Sequence, residues 1–336
     1  MKIAMLAPVA WRTPPRHYGP WEQITYNITE GLVTRGMDVT LFATKDSFTT
    51  GKLDGIIEKG YEEDRTQIAK VLECMHISYV MEQAHKFDLL HNHFDFLPLS
   101  YTRLIKTPVI TTIHGFSSPK IIPVYERYND IGYYISISNA DRAPSLKYLA
   151  TIYHGVQQKE FEFIETPKDY LLFFGRIHPD KGAHDAIKIA QETKKKLIIA
   201  GIIQDENYFK ERVEPFTDGE QIIFVGAAGP EKRKELLGNA IALLHPIYFN
   251  EPFGLSVVES MFCGTPVIAY NRGSMPELIE NNLSGLLVNN LQEAIDAISA
   301  VEFINRRKCY EYGIAKFSMD TMIDNYIKAY ETILSK

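Results

Sequence analysis

The 336 residues predict an α/β protein made of two doubly wound domains. Three observations carry this. Short apolar runs that read as buried strands alternate with stretches of helical spacing. The first of these forms a strand–loop–helix–strand unit, which requires parallel strands. The pattern then breaks at residues 154–168 and restarts with the same architecture, and the length accommodates two domains of ordinary size.

Taken in order, residues 2–7 form the first strand. PVAWRTPPRHYGPWEQ follows and is a loop, being rich in Pro and aromatics. A helix carries Trp21, Ile24, Ile28 and Leu32 on one face and ends near Gly36; 39–43 is the second strand. A largely polar helix covers 61–86, and strands lie at 87–91, 108–113, 133–137 and 151–153, with one short helix between the first two and another between the last two. Residues 154–168 read as a linker. The second half places strands at 170–174, 197–200, 221–225, 241–245 and 267–270, and helices at 183–193, near 205–214, 230–238, 291–300 and 318–334. Between the last two of those strands runs EPFGLSVVESMFCGTPV, residues 251–267. Pro252 stops any preceding helix, Leu255, Val258 and Phe262 recur at helical spacing, and Gly264 ends the helix. Ligands of doubly wound sheets bind beyond the carboxyl ends of the strands, so the expected site is the cleft between the two halves.

Composition narrows the function. A net charge of −6, carried entirely by the second half, argues against nucleic-acid binding by phosphate neutralisation and gives no strong membrane-surface signal. Cys74, Cys263 and Cys309 are odd in number and lack metal-ligand spacing, which fits buried reduced thiols in a cytoplasmic protein. The apolar N-terminus is cut short by Trp11, Arg12 and Pro14 and reads as a strand, not a signal peptide. No window reaches the length of a transmembrane helix.

Four groups of residues could do chemistry. Glu251 belongs on a loop and Glu259 one or two turns into the following helix. The helix start near Gly254 aims free N–H groups and a positive dipole end at the space between them, which suits a ligand with a phosphate at one end and hydroxyls at the other. The competing reading is a helix with two surface glutamates. In YLLFFGRIHPDKGAHDAI, Arg176 and Lys181 flank a strand–loop–helix junction and suit a diphosphate, Arg as a fork and Lys as a point charge; solvated loop charges are the alternative. The order G-x-x-x-x-G-K-[ST] is absent, which excludes a P-loop ATPase. In the first loop, Gly19 precedes the Trp21 helix, but Pro20 offers no N–H and there is no G-x-G-x-x-G. His91, His93, His114, His154, His178 and His245 all fall at strand ends. His91 and His93 are a weak metal signal, read as facing opposite sides of their strand, and no metal site is expected. His114, after TTI and before Gly115, is the candidate among them, against a satisfied polar residue at a strand end. No G-x-S-x-G elbow is present, and Cys263 sits in an apolar helix.

Together these segments resemble glycosyltransferase family 4. Glu251 to Glu259 is similar to its E-x7-E motif and GRIHPDKG to its G-R-[LI]-x-x-x-K-G loop. GSMPELIENNLSGLLV, YGPWEQ, DLLHNHFDF, TTIHG, YISISNADR and YHGV resemble further family segments, in the family's order over nearly the whole chain. The resemblance implies a GT-B fold: two Rossmann-like domains facing a central cleft, with the C-terminal helix crossing back to the first. It divides the chain into an acceptor-binding domain at 1–156 plus the helix 318–336, and a nucleotide-sugar-binding domain at 165–317. It implies a retaining hexosyltransferase that uses a nucleotide sugar as co-substrate, with no cofactor and no metal. Arg176 and Lys181, beside Gly175, would hold the diphosphate. Glu251 would contact the donor sugar with the backbone N–H groups of Phe253, Gly254 and Leu255, and Glu259 the ribose. His114 would face the transferred sugar, and Gly19 would let the first loop approach the diphosphate. Catalysis would then rest on Arg176, Lys181, Glu251 and His114, by front-face departure and attack with no assigned protein nucleophile. The chain departs from the family at Pro20, where a second Gly is common, and at Ser260 and Phe262, which replace small alanines.

UDP-glucose and GDP-mannose are both expected donors, and the acceptor is a carbohydrate or glycolipid, consistent with a cytoplasmic protein that works at the membrane periphery. Trp11, His17, Tyr18, His93 and Ser138 are the candidates for the acceptor or cleft wall. Two other functions fit the motifs less well: a GT-B nucleotide-sugar epimerase, which needs acid/base groups in the cleft, and a non-catalytic sugar-nucleotide-binding partner.

Overall fold

The computed structural model describes residues 1–16, 19–115 and 118–335. The chain separates into two compact units, residues 1–154 with 319–336 and residues 155–318. The first contains β1 (Lys2–Leu6), α1 (Pro20–Thr34), β2 (Asp38–Phe42), β3 (Lys52–Asp54), α2 (Ala69–Glu82), β4 (Leu89–Asn92), β5 (Val109–Ile113), α3 (Ile122–Arg127), β6 (Tyr133–Ser136) and β7 (Tyr148–Thr151). The second contains β8 (Leu171–Phe174), α4 (Ala183–Thr193), β9 (Leu197–Ala200), α5 (Glu206–Arg212), β10 (Ile222–Phe224), α6 (Pro230–Asn239), β11 (Ala242–His245), α7 (Leu255–Phe262), β12 (Val267–Tyr270), α8 (Met275–Leu278), β13 (Gly285–Val288), α9 (Leu291–Val301) and α10 (Arg306–Phe317). The closing helix, α11 (Met319–Leu334), returns to the first unit.

Both sheets are parallel. Their orders are β3-β2-β1-β4-β5-β6-β7 and β10-β9-β8-β11-β12-β13, the strand order of a Rossmann fold. The central strands are apolar on both faces because helices cover both: Ile3 stands between Val39 and Leu89, and Leu172 between Ile198 and Leu243. α11 is held to the first unit at its two ends. Arg35 at the end of α1 pairs with Asp320 at 2.8 Å and with Asp324, while Tyr326 and Tyr330 are fully buried.

Several expectations need correction. The helix expected at 61–86 is confined to Ala69–Glu82, and the last strand of the first sheet lies at Tyr148–Thr151, not 151–153. Sequence reading passed over β3, α3, α8, β13 and α10, and the short helix expected between 137 and 151 is replaced by turns. β3 and β13 are three and four residues long, too short for a periodic signal, and α10 carries Arg306, Arg307, Lys308 and Gly313 where an apolar stripe would be sought. The supposed linker is part of the second unit. Val156 N–H donates to Phe317 O at 2.9 Å, Ile164 N–H donates to Cys263 O at 3.1 Å, and Phe161 packs its ring against Phe262. Its apolar residues were diluted among charges and so read as solvated. Cys263 and Cys309 are buried free thiols, but Cys74 is exposed. Among the described residues no helix is long and apolar enough to cross a membrane.

Candidate active site

In the second unit the strand order reverses between β8 and β11, the place where doubly wound sheets hold ligands. Two loops leave it: 175–182, running to α4, and 246–254, running to α7. Gly182 lets them touch. Its φ is +73°, and a Cβ there would stand 2.0 Å from the Pro246 carbonyl oxygen, so any larger residue would push the loops apart. Lys181 Nζ consequently forms an ion pair with Glu251 Oε2 and lies 4.7 Å from the centre of the Phe249 ring. Burial opposes ionisation of Glu251, but the His245 and Lys181 side chains outweigh it and hold the carboxyl at about 2. His245, the last residue of β11, is buried, and its Nε2 lies 3.7 Å from Glu251 Oε2. That is a contact rather than a hydrogen bond, so the Lys181 ammonium is the partner that sets the charge on Glu251.

The loop bearing Glu251 is held from behind. Ser274 N–H donates to Glu251 O at 3.0 Å, and Tyr248 N–H donates to Asp180 O at 2.7 Å. The Tyr248 and Tyr270 hydroxyls both donate to Asp185 Oδ2 at 2.5 Å, tying the loop to the first turn of α4 and to β12. The GSMPE segment therefore supports Glu251 rather than supplying a reactive group.

Gly254, at φ +103°, is the N-cap of α7, and no side chain caps the helix. Val257 and Val258 N–H return to Gly254 O, which leaves the Leu255 and Ser256 N–H groups free of the helix ladder. Phe253 is buried beside them. Glu259 lies in the second turn, 8% exposed, with Oε1 3.1 Å from Arg233 Nη1 on α6. Burial raises its carboxyl to about 7 against the pull of Arg233. The surface-glutamate reading is therefore wrong for both carboxylates. Ser260 and Phe262, next to Glu259, face the core: Ser260 Oγ donates to Thr265 O at 2.8 Å, and Phe262 meets Phe161.

Arg176 and Lys181 are on one loop but not in one ion pair. The Arg176 guanidinium donates to Gln204 Oε1 on the β9–α5 loop. Gly175 between them and β8 is under no crowding, since a Cβ there meets nothing nearer than 3.9 Å.

The first unit brings a separate group together. Residues two apart on a strand share a face, so His91 and His93 do not diverge as expected; their ring centres are 3.9 Å apart. His93 Nδ1 and His114 Nε2 are 2.8 Å apart in a hydrogen bond. His114 stacks on Trp21 and on His154. Behind them, His91 bonds Tyr330 Oη at 2.7 Å and Thr112 Oγ1 at 2.8 Å, and Thr112 bonds Tyr326 Oη at 3.0 Å. Burial pushes all four imidazoles well toward neutrality. Among the described residues, His114 Nδ1 and His93 Nε2 are buried without a hydrogen bond. Among the described residues no three His, Cys, Asp or Glu side chains are placed to hold a metal ion.

Gly19 caps α1, and a Cβ on it would stand 2.9 Å from Glu22 Oε2. Glu22 is 3% exposed and accepts from Trp11 N–H at 3.2 Å, so it pins the loop that was expected to form the acceptor wall. Ser138 is fully buried, and its hydroxyl accepts from Asp141 N–H at 3.2 Å, closing a turn. His17 and Tyr18 lie outside the described residues. Sequence reasoning passed over Glu22, Asp185 and Arg233, and gave His245 no role beyond its place at a strand end. Glu22 had a usable signal, a carboxylate at the third helical position after the cap. Arg233, inside EKRKE, reads as one solvated charge among several.

Residues 157–315 match the family model for glycosyl transferases group 1, nearly the whole second unit. The chain is a glycosyltransferase. Similar proteins agree along its full length. A glycosyltransferase of Methanocaldococcus jannaschii is 22% identical over 86% of this chain and 85% of its own. The O-antigen chain mannosyltransferase C of Escherichia coli is 21% identical over 95% and 96%. In structure, HepE of Anabaena, solved in complex with UDP, superposes with a TM-score of 0.75 at 18% identity, covering 99% of this chain and 100% of that one. The glycosyltransferase therefore has the GT-B fold, two Rossmann-like units with the final helix returned to the first.

Proposed function

We propose that this glycosyltransferase is a family 4 enzyme that moves a hexosyl group from a UDP- or GDP-sugar to a carbohydrate or glycolipid acceptor, with retention and without a metal. The observation that carries the proposal is the Lys181–Glu251 pair at the reversal point of the second sheet, next to the uncapped start of α7. A cation, an ionised carboxylate and free N–H groups meet there, the set that a sugar diphosphate needs. HepE was solved with UDP, which supports the donor class; the acceptor class is supported by the similar E. coli mannosyltransferase of O-antigen chains.

In this reading Lys181 and Arg176 neutralise the departing diphosphate, with the Leu255 and Ser256 N–H groups and the α7 dipole adding to them. Lys181 exchanges part of its contact with Glu251 for phosphate oxygen. Glu251, ionised at every pH above about 2, accepts from hydroxyls of the donor sugar and fixes its orientation. Glu259 accepts from the ribose. His114 offers Nδ1, which is buried and lacks a partner among the described residues, to a hydroxyl of the substrate. None of these groups acts as a nucleophile. The bond from the anomeric carbon to the phosphate oxygen breaks first, and the freed phosphate takes the acceptor's proton as the acceptor oxygen attacks the same face.

The test is a thermal-shift screen of UDP- and GDP-sugars, followed by anomer-resolved NMR of the sugar released, with a chelator present throughout. Release of the donor's own anomer from one nucleotide sugar is expected. Initial release of the opposite anomer sinks retention, and activity lost to the chelator sinks metal independence. Conversion of one donor into another makes the protein an epimerase, and failure to bind any nucleotide sugar overturns the donor site.

A further inference from the structure

Glu259 is an unusual carboxylate for its surroundings. It is 8% exposed, yet no N–H or O–H group among the described residues makes a hydrogen bond to it. Its single polar partner is Arg233, with Nη1 3.1 Å from Oε1. A buried carboxylate normally fills several acceptor positions, so this one is held by charge alone and keeps acceptor capacity open. Arg233 is itself fixed by little else. Its guanidinium carbon lies 5.5 Å from the centre of the Phe161 ring, and its Nε is buried with no hydrogen-bond partner. The other ionisable groups facing Glu259 are Glu160, from the segment that precedes β8, and Cys263, at the end of α7. Glu160 repels a charge on Glu259 and Cys263 offers none in its thiol form, so Arg233 is the one cation that favours ionisation there.

We infer that Arg233 is a positioning residue for the donor: it favours the ionised form of Glu259 and anchors Oε1, so that Oε2 is presented to the vicinal diol of the nucleotide's ribose. The inference rests on Glu259 being the ribose carboxylate. Its chemistry is specific. A carboxylate accepts from both hydroxyls of a cis diol, whereas a protonated carboxyl gives up one acceptor position to its own proton. Without a neighbouring cation, a carboxyl this deeply buried stays protonated at neutral pH, and selectivity for a ribose over a deoxyribose weakens. Arg233 touches neither ribose nor phosphate in this arrangement, and acts through Glu259.

The test measures the affinity of UDP and GDP and of their 2′,3′-dideoxy analogues for the full-length protein between pH 5.5 and 9. The ratio of the two affinities isolates the diol, because the phosphate ionises alike in both. In the native protein the preference for ribose rises with pH through about 7, where Glu259 loses its proton. Arg233→Met moves that midpoint upward by roughly one pH unit and lowers the ribose preference at pH 7 about fivefold, with dideoxy binding unchanged. Arg233→Lys restores most of the preference, which loss of packing at Met would not allow. Equal weakening of both ligands means that Arg233 meets the diphosphate or the base, and an unchanged pH profile means that it is structural; either overturns the inference. Glu259→Gln separates the two ideas. If it leaves the ribose preference intact, the ribose assignment of Glu259 fails. If it abolishes the preference while Arg233→Met does not, the role of Arg233 alone fails.

Discussion

Glu251 is half-buried and Glu259 buried, and their partners set them apart. Glu251 gains an ammonium at contact distance and is held at about 2, whereas Glu259 has a guanidinium that only partly offsets burial and is raised to about 7. The two shifts act on stability with opposite sign. The folded pKa of Glu251 lies below its unfolded value, so its contribution is present above about pH 4.5 and is lost as pH falls through about 2. The folded pKa of Glu259 lies above its unfolded value, so stability declines as pH rises from about 4.5 to about 7 and stays lower beyond. Glu259→Gln removes that cost. The variant is expected to be more stable than the native protein at pH 8 by roughly 1–2 kcal/mol, while its nucleotide affinity falls. Chemical denaturation at pH 5 and pH 8 checks this: the gain appears at the higher pH only, and equal effects at both would sink the linkage. A carboxylate that costs stability at working pH is the expected mark of a group retained for binding.

At the scale of elements, the returning helix does more than close the first sheet. α11 supplies Tyr326 and Tyr330, whose hydroxyls complete the hydrogen bonds of Thr112 and His91 on β5 and β4. His91 in turn lies under His93, which bonds His114. The candidate acceptor histidine is thus the front of a packed layer whose back is the last helix of the chain. Tyr330→Phe keeps the ring but leaves His91 Nδ1 buried without a partner, at a cost of about 1–3 kcal/mol. The loss is expected in the unfolding of the first unit, followed by hydrogen exchange on β4 and β5, with nucleotide binding by the second unit unchanged. No change in exchange would mean that apolar packing alone seats α11. This layer was partly legible: His91, His93 and His114 stood out at strand ends, and a closing helix at 318–334 was expected to return to the first domain. Their meeting was not, because it joins residues more than two hundred positions apart in sequence.

For the whole molecule, the donor groups on the second sheet's loops and on α7, Arg176, Lys181, Glu251 and Glu259, all come from residues 155–318, which form one compact unit with its own sheet; Gly19 and His114 are the candidates from the first unit. A protein comprising 155–318 is expected to fold and to bind UDP or GDP with an affinity within about tenfold of the full chain, measured by calorimetry. A folded unit that binds neither would place essential donor contacts elsewhere. The alternation of buried strands and helices, the two halves, the charged loops after β8 and β11 and the paired glutamates were all readable from the sequence. Each is written locally, in hydrophobic period, turn residues and helix caps over a few neighbouring positions. Tertiary structure decided which charges pair and how far each is buried. Lys181 meets Glu251 because Gly182 allows two loops to touch, Arg233 meets Glu259 across two helices, and Arg176 turns instead to Gln204. Those pairings and the ionisation that follows depend on distance and dielectric between residues remote in sequence, and local pattern carries no record of either.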